Sequence, residues 1–269
     1  MSDQGEPLIS VRDLKKRFGT VEALSGVNLD LKQNEVLGLV GDNGAGKSTF
    51  VKTLVGLHEP SGGEIHYRGK QMTIDSPKQA REMGIATVYQ DLALVDELSV
   101  AENIFLGRLP TKRLAGVIPV TDTEYMESEA DRILSERLNI HINPKTPVEY
   151  LSGGQRQAVA IARALVTDPE MIFLDEPTSA LSKAAADLVE NLVEELKESG
   201  HSVLIIDHNL EEILSMCDRI AIMFDGQVVD VVRPEDVDRD QIVAAMISGN
   251  PVSTAGEGGD TSQESAVGD

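Results

Sequence analysis

The stretch EVLGLVGDNGAGKST, residues 35–49, decides the fold. Val36–Val40 is a short apolar run of the kind that sits inside a sheet with both faces covered. Gly41, Asp42, Asn43, Gly44, Ala45, Gly46, Lys47, Ser48 and Thr49 follow without a break. Glycines at this spacing let backbone N–H groups turn inward around an anion. A helix starting at Lys47 adds the partial positive charge of its N-terminus. The pattern Gly41-x-x-x-x-Gly46-Lys47-Ser48, with a strand before it and a helix after it, is a phosphate-binding loop in its required setting. Lys47 is then expected to reach the β- and γ-phosphates of ATP. Ser48 offers its hydroxyl to Mg²⁺, and Thr49 assists at the α-phosphate. The helix is expected over about Lys47 to Val55, with Gly56 ending it.

Working outward, Met171-Ile-Phe-Leu-Asp175-Glu176 is a second apolar strand, ending in two carboxylates. Ligands of open α/β sheets bind where such strands release the chain. Asp175 can therefore hold Mg²⁺ through water, and Glu176 can orient or deprotonate an attacking water. Strand and helix alternate through MIFL, a helix near Lys183–Glu198, VLII, a helix near Leu210–Cys217, and IAIMF. This predicts an α/β fold, a mostly parallel sheet with helices on both faces. Residues 8–31 read as short strands with turns (LISVRDL, then RFGT, then VNLDLK), an antiparallel portion beside the main sheet. Arg68-Gly69 and Asp225-Gly226 each predict a hairpin. A largely helical insert, about residues 92–165, forms a second subdomain, and the acidic, Gly/Ser-rich residues 250–269 read as a disordered tail.

Leu151-Ser152-Gly153-Gly154-Gln155 precedes the amphipathic run QRQAVAIARAL and makes a second helix N-terminus suited to phosphate. One chain thus offers two phosphate-type helix starts and one lysine-bearing loop. With these motifs the sequence resembles the ATPases of the ABC family, whose signature is the same LSGGQ. The resemblance covers about residues 8–249. It implies the ABC ATPase fold, and two cassettes paired head to tail, each ATP lying between one phosphate loop and the partner's Ser152, Gly153, Gly154 and Gln155. It also implies that Gln90, in TVYQD, contacts Mg²⁺ or water and senses the membrane partner. By the same resemblance His208, after VLIID, lies near the γ-phosphate, and Phe18, in KKRFGT, stacks on adenine. Two positions depart from the family: Ser182 stands where the loop after the second carboxylate usually has Asp, and Asp207 precedes His208 where Ser or Thr is usual. Both bear on rate and coupling.

VGDNGAGKST, GIATVYQDLALVDELSVAENIFLGR and YLSGGQRQAVAIARAL are similar to the monosaccharide-type import ATPases (ribose, xylose, fructose). That branch implies an integral membrane permease as partner, an extracellular substrate-binding protein acting indirectly, and, with one cassette per chain, a homodimer. The apolar residues at 92, 94 and 95 suit a groove for a permease helix.

Composition bounds the remaining choices. The 269 residues are 41% hydrophobic and 26% charged, an ordinary globular balance. The single cysteine, Cys217, excludes a disulfide framework. No stretch reaches the roughly 18–20 apolar residues of a membrane span, and MSDQGEPLIS lacks a signal peptide's order. The expected place is peripheral, on the cytoplasmic face of the membrane. The net charge of −21 repels phosphate backbones and excludes a nucleic-acid partner. Only four of its acids lie in 251–269, so the folded body is acidic, as in a halophilic protein of a saline cytoplasm. Soluble cassettes of DNA repair are an alternative, but they separate Lys47- and Asp175-type motifs by a long coiled coil absent here. Translation-associated cassettes are basic and double, and an export ATPase shares the same core.

Overall fold

A computed structural model describes residues 6–114 and 117–252. The tail read as disordered lies outside the described residues beyond Val252. The chain opens with two long antiparallel strands, β1 (Ile9–Phe18) and β2 (Val21–Leu31). LISVRDL and RFGT, expected as separate strands, are not: one strand runs on through Arg17 and Phe18, and Gly19-Thr20 make the turn. Asp13 takes a left-handed backbone angle (φ 48°), and the register shifts beside it, so the strand bends through a bulge without ending.

Next come β3 (Val36–Gly41), α1 (Lys47–Leu54), β4 (Gly62–Tyr67) and β5 (Lys70–Met72). Arg68 and Gly69 both have positive φ (48° and 71°), the angles a two-residue hairpin turn needs. After α2 (Pro77–Glu82) and β6 (Ile85–Val88) the chain leaves the main sheet for α3 (Val100–Ile104). Where charged, interrupted sequence runs through LPTKRLAGVIP, the structure has a small hairpin, β7 (Thr111–Leu114) with β8 (Ile118–Thr121). Helix α4 (Thr123–Arg132), a π-helical turn over Ile133–Arg137 and α5 (Gly153–Leu165) complete that region. The return is regular: β9 (Met171–Asp175), α6 (Lys183–Glu198), β10 (Ser202–Ile206), α7 (Leu210–Met216), β11 (Arg219–Phe224), β12 (Gln227–Val232) and α8 (Arg239–Ser248).

Six strands make the central sheet in the order β12-β11-β3-β10-β9-β6, all parallel except β12. A second sheet, β2-β1-β4-β5, is antiparallel. All six residues of β3 are buried, which explains its uninterrupted apolar run. One face of the sheet packs on Phe50, Val51 and Leu54 of α1 together with the antiparallel sheet. The other packs on α5, α6 and the helices of 100–138. Fully burying a side chain such as Phe50 contributes about 1.5–3 kcal/mol. At the sheet's N-terminal edge Asp218 accepts from the Val36 N–H (2.9 Å) and from Lys197 (2.5 Å). Arg219 pairs with the buried Glu35 (2.9 Å). These bonds seat β3 and β11 side by side, so both release their chains at the opposite, C-terminal edge.

Candidate active site

Four elements of the central sheet deliver side chains to that C-terminal edge. β3 runs into Asp42–Gly46, β9 ends on Asp175 and is followed by Glu176, β10 leads to Asp207 and His208, and β6 leads to Gln90. The loop after β3 is held closely from outside. Gly46 has φ 108°, and a Cβ there would lie 2.7 Å from the Ala23 carbonyl, so no other residue fits. Helix α1 begins with no side chain capping it. Lys47 folds back over the loop, donating to the carbonyls of Gly41 (2.6 Å) and Asp42 (3.2 Å).

Charge is concentrated at this edge. Burial pushes the Lys47 ammonium below its ordinary pKa, against the pull of Glu176, Asp42 and Asp175. Burial, then the Glu176 charge, pushes the Asp175 carboxyl above its ordinary range, opposed by Lys52 and Lys47. Gln90 donates through Nε2 to Glu176 Oε2 (2.8 Å), and His208 Nδ1 stands 3.8 Å from the same oxygen. Glu176 itself has φ 50°, a left-handed angle rare for a side-chain-bearing residue and held here by its N–H bond to the Ile206 carbonyl (2.7 Å). Gln90, Glu176 and His208 are therefore one cluster, assembled from three strand ends and next to Lys47 and Asp175.

The signature helix is built differently. Ser152 caps α5, its Oγ accepting from the Gln155 N–H (3.4 Å), while Gln155 Oε1 accepts from the Ser152 N–H (3.0 Å). A Cβ on Gly153 would come within 2.7 Å of Leu181. Gly153 lines a cleft of about 300 Å³ with Gln90, Glu176 and the 177–181 loop. Among the described residues no hydrogen bond or ion pair joins Asp42–Thr49 to Ser152–Gln155. Phe18 is 45% exposed at the tip of β1. It meets the His58 ring edge-on at 5.1 Å, with Lys16 Nζ 5.0 Å above its face.

The apolar run 92–95 divides. Leu92 and Leu94 pack partly against the core and Val95 is 37% exposed, while Ala93 faces a separate groove of about 410 Å³. Leu106, Arg81, Arg108 and Arg163 share that groove. The expectation that 92, 94 and 95 line it together is corrected. Asn103, fully buried, bonds both backbone groups of Val95, and Arg163 holds the carbonyls of Ala93 (3.0 Å) and Leu92 (2.5 Å), which turns alternate side chains away. Sequence reading also passed over Thr178, whose hydroxyl donates to the buried Asp207 (2.6 Å). The one visible signal was a carboxylate placed directly after the apolar strand VLII.

A family model described as ABC transporter matches residues 24–179. The chain belongs to the ABC transporter family. This cassette is 41% identical over 242 residues to the xylose/arabinose import ATP-binding protein XylG of Sulfolobus acidocaldarius, spanning 90% of this chain and 94% of that one. It is 43% identical over 241 residues to the ribose import ATP-binding protein RbsA 1 of Rubrobacter xylanophilus, of which it spans 47%. The cassette thus matches XylG nearly end to end but about half the length of RbsA-type and AraG-type relatives. Among solved structures it resembles an ABC-transporter cassette in its ADP conformation (TM-score 0.74, 27% identity, 91% of this chain and 96% of that one). It also resembles a dimeric post-hydrolysis cassette bound to ADP and Pi (TM-score 0.68, 27% identity, 84% and 98%). As a member of this family the cassette is an ATP-binding ATPase. No helix among its described residues is long and apolar enough to cross a membrane.

Proposed function

We propose that this cassette is the energy-supplying subunit of an importer, coupling ATP hydrolysis to uptake of a monosaccharide through a membrane permease. The observation that carries the reading is the cluster of Gln90, Glu176 and His208 at the mouth of an uncapped, lysine-bearing helix start. The near end-to-end likeness to XylG supports the sugar-import part. In this reading the catalytic domain spans about residues 8–249, with a helical part at about 92–165. The N–H groups of Gly41–Thr49 cradle the phosphates and Lys47 meets the β- and γ-oxygens. Phe18 offers its exposed ring to adenine. Glu176 orients the attacking water and takes its proton, held by the Gln90 amide with His208 alongside.

Ser48, Asp175 and Gln90 are hard oxygen donors of the kind Mg²⁺ accepts. A carboxyl whose pKa burial has raised, as at Asp175, is one that a divalent cation would relieve. When bound, the ion would neutralise phosphate charge. Ser152–Gln155, joined among the described residues by no hydrogen bond to the chain's own loop, serve the ATP of a second copy, which makes the working unit a homodimer. The dimeric neighbour bound to ADP and Pi supports that arrangement.

The groove of Ala93 and Leu106, ringed by Arg81, Arg108 and Arg163, is the seat proposed for a cytoplasmic helix of the permease. It would keep the cassette peripheral on the inner membrane face. The acidic surface, −21 overall, fits a saline cytoplasm, so melting temperature should rise from low to molar KCl; a flat or falling trend removes that part. The deciding experiment is reconstitution with the copurifying permease in vesicles and a panel of labelled pentoses and hexoses. ATP-dependent uptake of one of them is expected. ATP hydrolysis without uptake of any would overturn sugar import and leave the ATPase standing.

A further inference from the structure

The carboxylate of Asp207, 1% exposed, lies between two loops of the site. Its Oδ2 accepts from the Thr178 hydroxyl (2.6 Å), in the loop that begins with Glu176. Its Oδ1 accepts from the N–H groups of His208 (2.7 Å) and Asn209 (3.0 Å). The His208 ring, with Nδ1 3.7 Å from Asp207 and 3.8 Å from Glu176, is spanned by the two carboxylates. A second tie runs in parallel, from the Glu176 N–H to the carbonyl of Ile206, the residue just before Asp207. Thr178 is itself buried, only 6% exposed. A charge-assisted bond in such a buried setting is short, directional and hard to replace.

We propose that Asp207 is a positioning residue for hydrolysis, locking the Glu176 loop to the His208 turn so that base and histidine keep one geometry. Buried as it is, Asp207 acts through Thr178 on one side and the 208–209 backbone on the other. Serine at 207 could cap the two N–H groups, but its shorter side chain could not also reach Thr178. The two-loop lock therefore needs the longer carboxylate. The proposal rests on the reading of Glu176 and His208 as the hydrolytic pair.

The test uses the full chain and steady-state ATP hydrolysis, with turnover counted per nucleotide-binding site. Thr178→Val keeps the shape of the side chain and removes the hydroxyl. Because misplacing a reacting group by about 1 Å can cost on the order of 10²-fold, kcat should fall at least about tenfold while KM for ATP stays within about twofold. Thr178→Ser, which retains the donor, should return kcat to within about threefold of the wild type. A bond that merely stabilised the fold would lower the number of binding-competent molecules and leave turnover per site unchanged. That result would overturn the proposal. Should Thr178→Val fail to fold, Asp207→Asn and Asp207→Ala decide. The amide can keep both contacts by donating to the Thr178 oxygen, so Asn should exceed Ala at least about tenfold in kcat, and equal turnover would refute the lock. A wild-type chain without ATPase activity would instead refute the underlying reading of the pair.

Discussion

The two glycine-rich helix starts of this cassette are chemically alike in sequence and opposite in structure. At α1 the cap is Gly46, no side chain covers the first N–H groups, and Lys47 has turned back onto the loop's own carbonyls. At α5 a reciprocal capping box between Ser152 and Gln155 already satisfies two donors. An uncapped helix start keeps its donors and its dipole for an anion. A capped one has spent part of its hydrogen-bonding capacity on its own stability. In the proposed reading the first is an anion site complete in one chain, and the second would become one when an incoming phosphate competes with the box. On that reading, the difference is why a single cassette would bind nucleotide and still need another copy to use it.

The largest expected effect separates chemistry from binding at the α1 end. Glu176→Gln should reduce hydrolysis by about 10²–10⁴-fold, as expected for loss of a general base, and leave ATP affinity intact. With hydrolysis blocked, ATP but not ADP should double the mass seen by light scattering, because the second helix start then stays engaged. More than half the wild-type turnover, or a monomer at saturating ATP, would break the assignment.

A matched pair of alanines sharpens the contrast next. Gly46→Ala forces a left-handed residue and a Cβ onto the Ala23 carbonyl, so ATP affinity should drop by at least about tenfold. Gly153→Ala meets only the flexible end of Leu181, so binding by the single chain should persist while ATP-driven dimerisation weakens. Equal losses of affinity in equilibrium titrations would mean the two helix starts are not distinct.

Ser152→Ala opens the box itself. Removing such a cap costs about 0.5–2 kcal/mol, visible as a lower melting temperature, with ATP affinity of the single chain unchanged. An unaltered melting curve would show that the box adds nothing to α5.

The smallest effect is a control at the far edge of the sheet. His201 donates from Nδ1 to the Pro169 carbonyl (2.7 Å), and its buried Nε2 has no partner among the described residues. Burial holds its pKa below the ordinary value, with Arg137 acting the same way and the Pro169 carbonyl and Asp168 opposing. The unfolded chain thus takes up this proton at about pH 6.5 and the folded chain at lower pH, so stability is full above that value and declines as pH falls through the window beneath it. His201→Gln should flatten the fall in melting temperature between about pH 7 and 5 without changing nucleotide affinity at either helix start. An unchanged slope would clear His201 of that role.

What the sequence determined by itself was local. The loop 41–49, the strand ending at Asp175-Glu176, the helix opened by Ser152 and the turns at Arg68-Gly69 and Asp225-Gly226 each depend on residues within a few positions of one another. Glycine, proline and capping side chains limit backbone angles wherever they occur, so such elements can be read directly. The bulge that joins β1 into one strand and the hairpin β7–β8 were not legible, because pairing across the sheet overrides a polar or interrupted run.

Only the tertiary structure could bring Gln90 to Glu176, 86 positions away, or Thr178 to Asp207, 29 positions away. It also turned Leu92 and Leu94 toward the core and Ala93 toward the groove, through Arg163 and Asn103. Those contacts are made between strand ends and loops whose neighbours are chosen by the order of the sheet, and that order follows from burying both faces of β3 at once. Residue types name the chemistry available at a strand end; packing decides which strand ends meet.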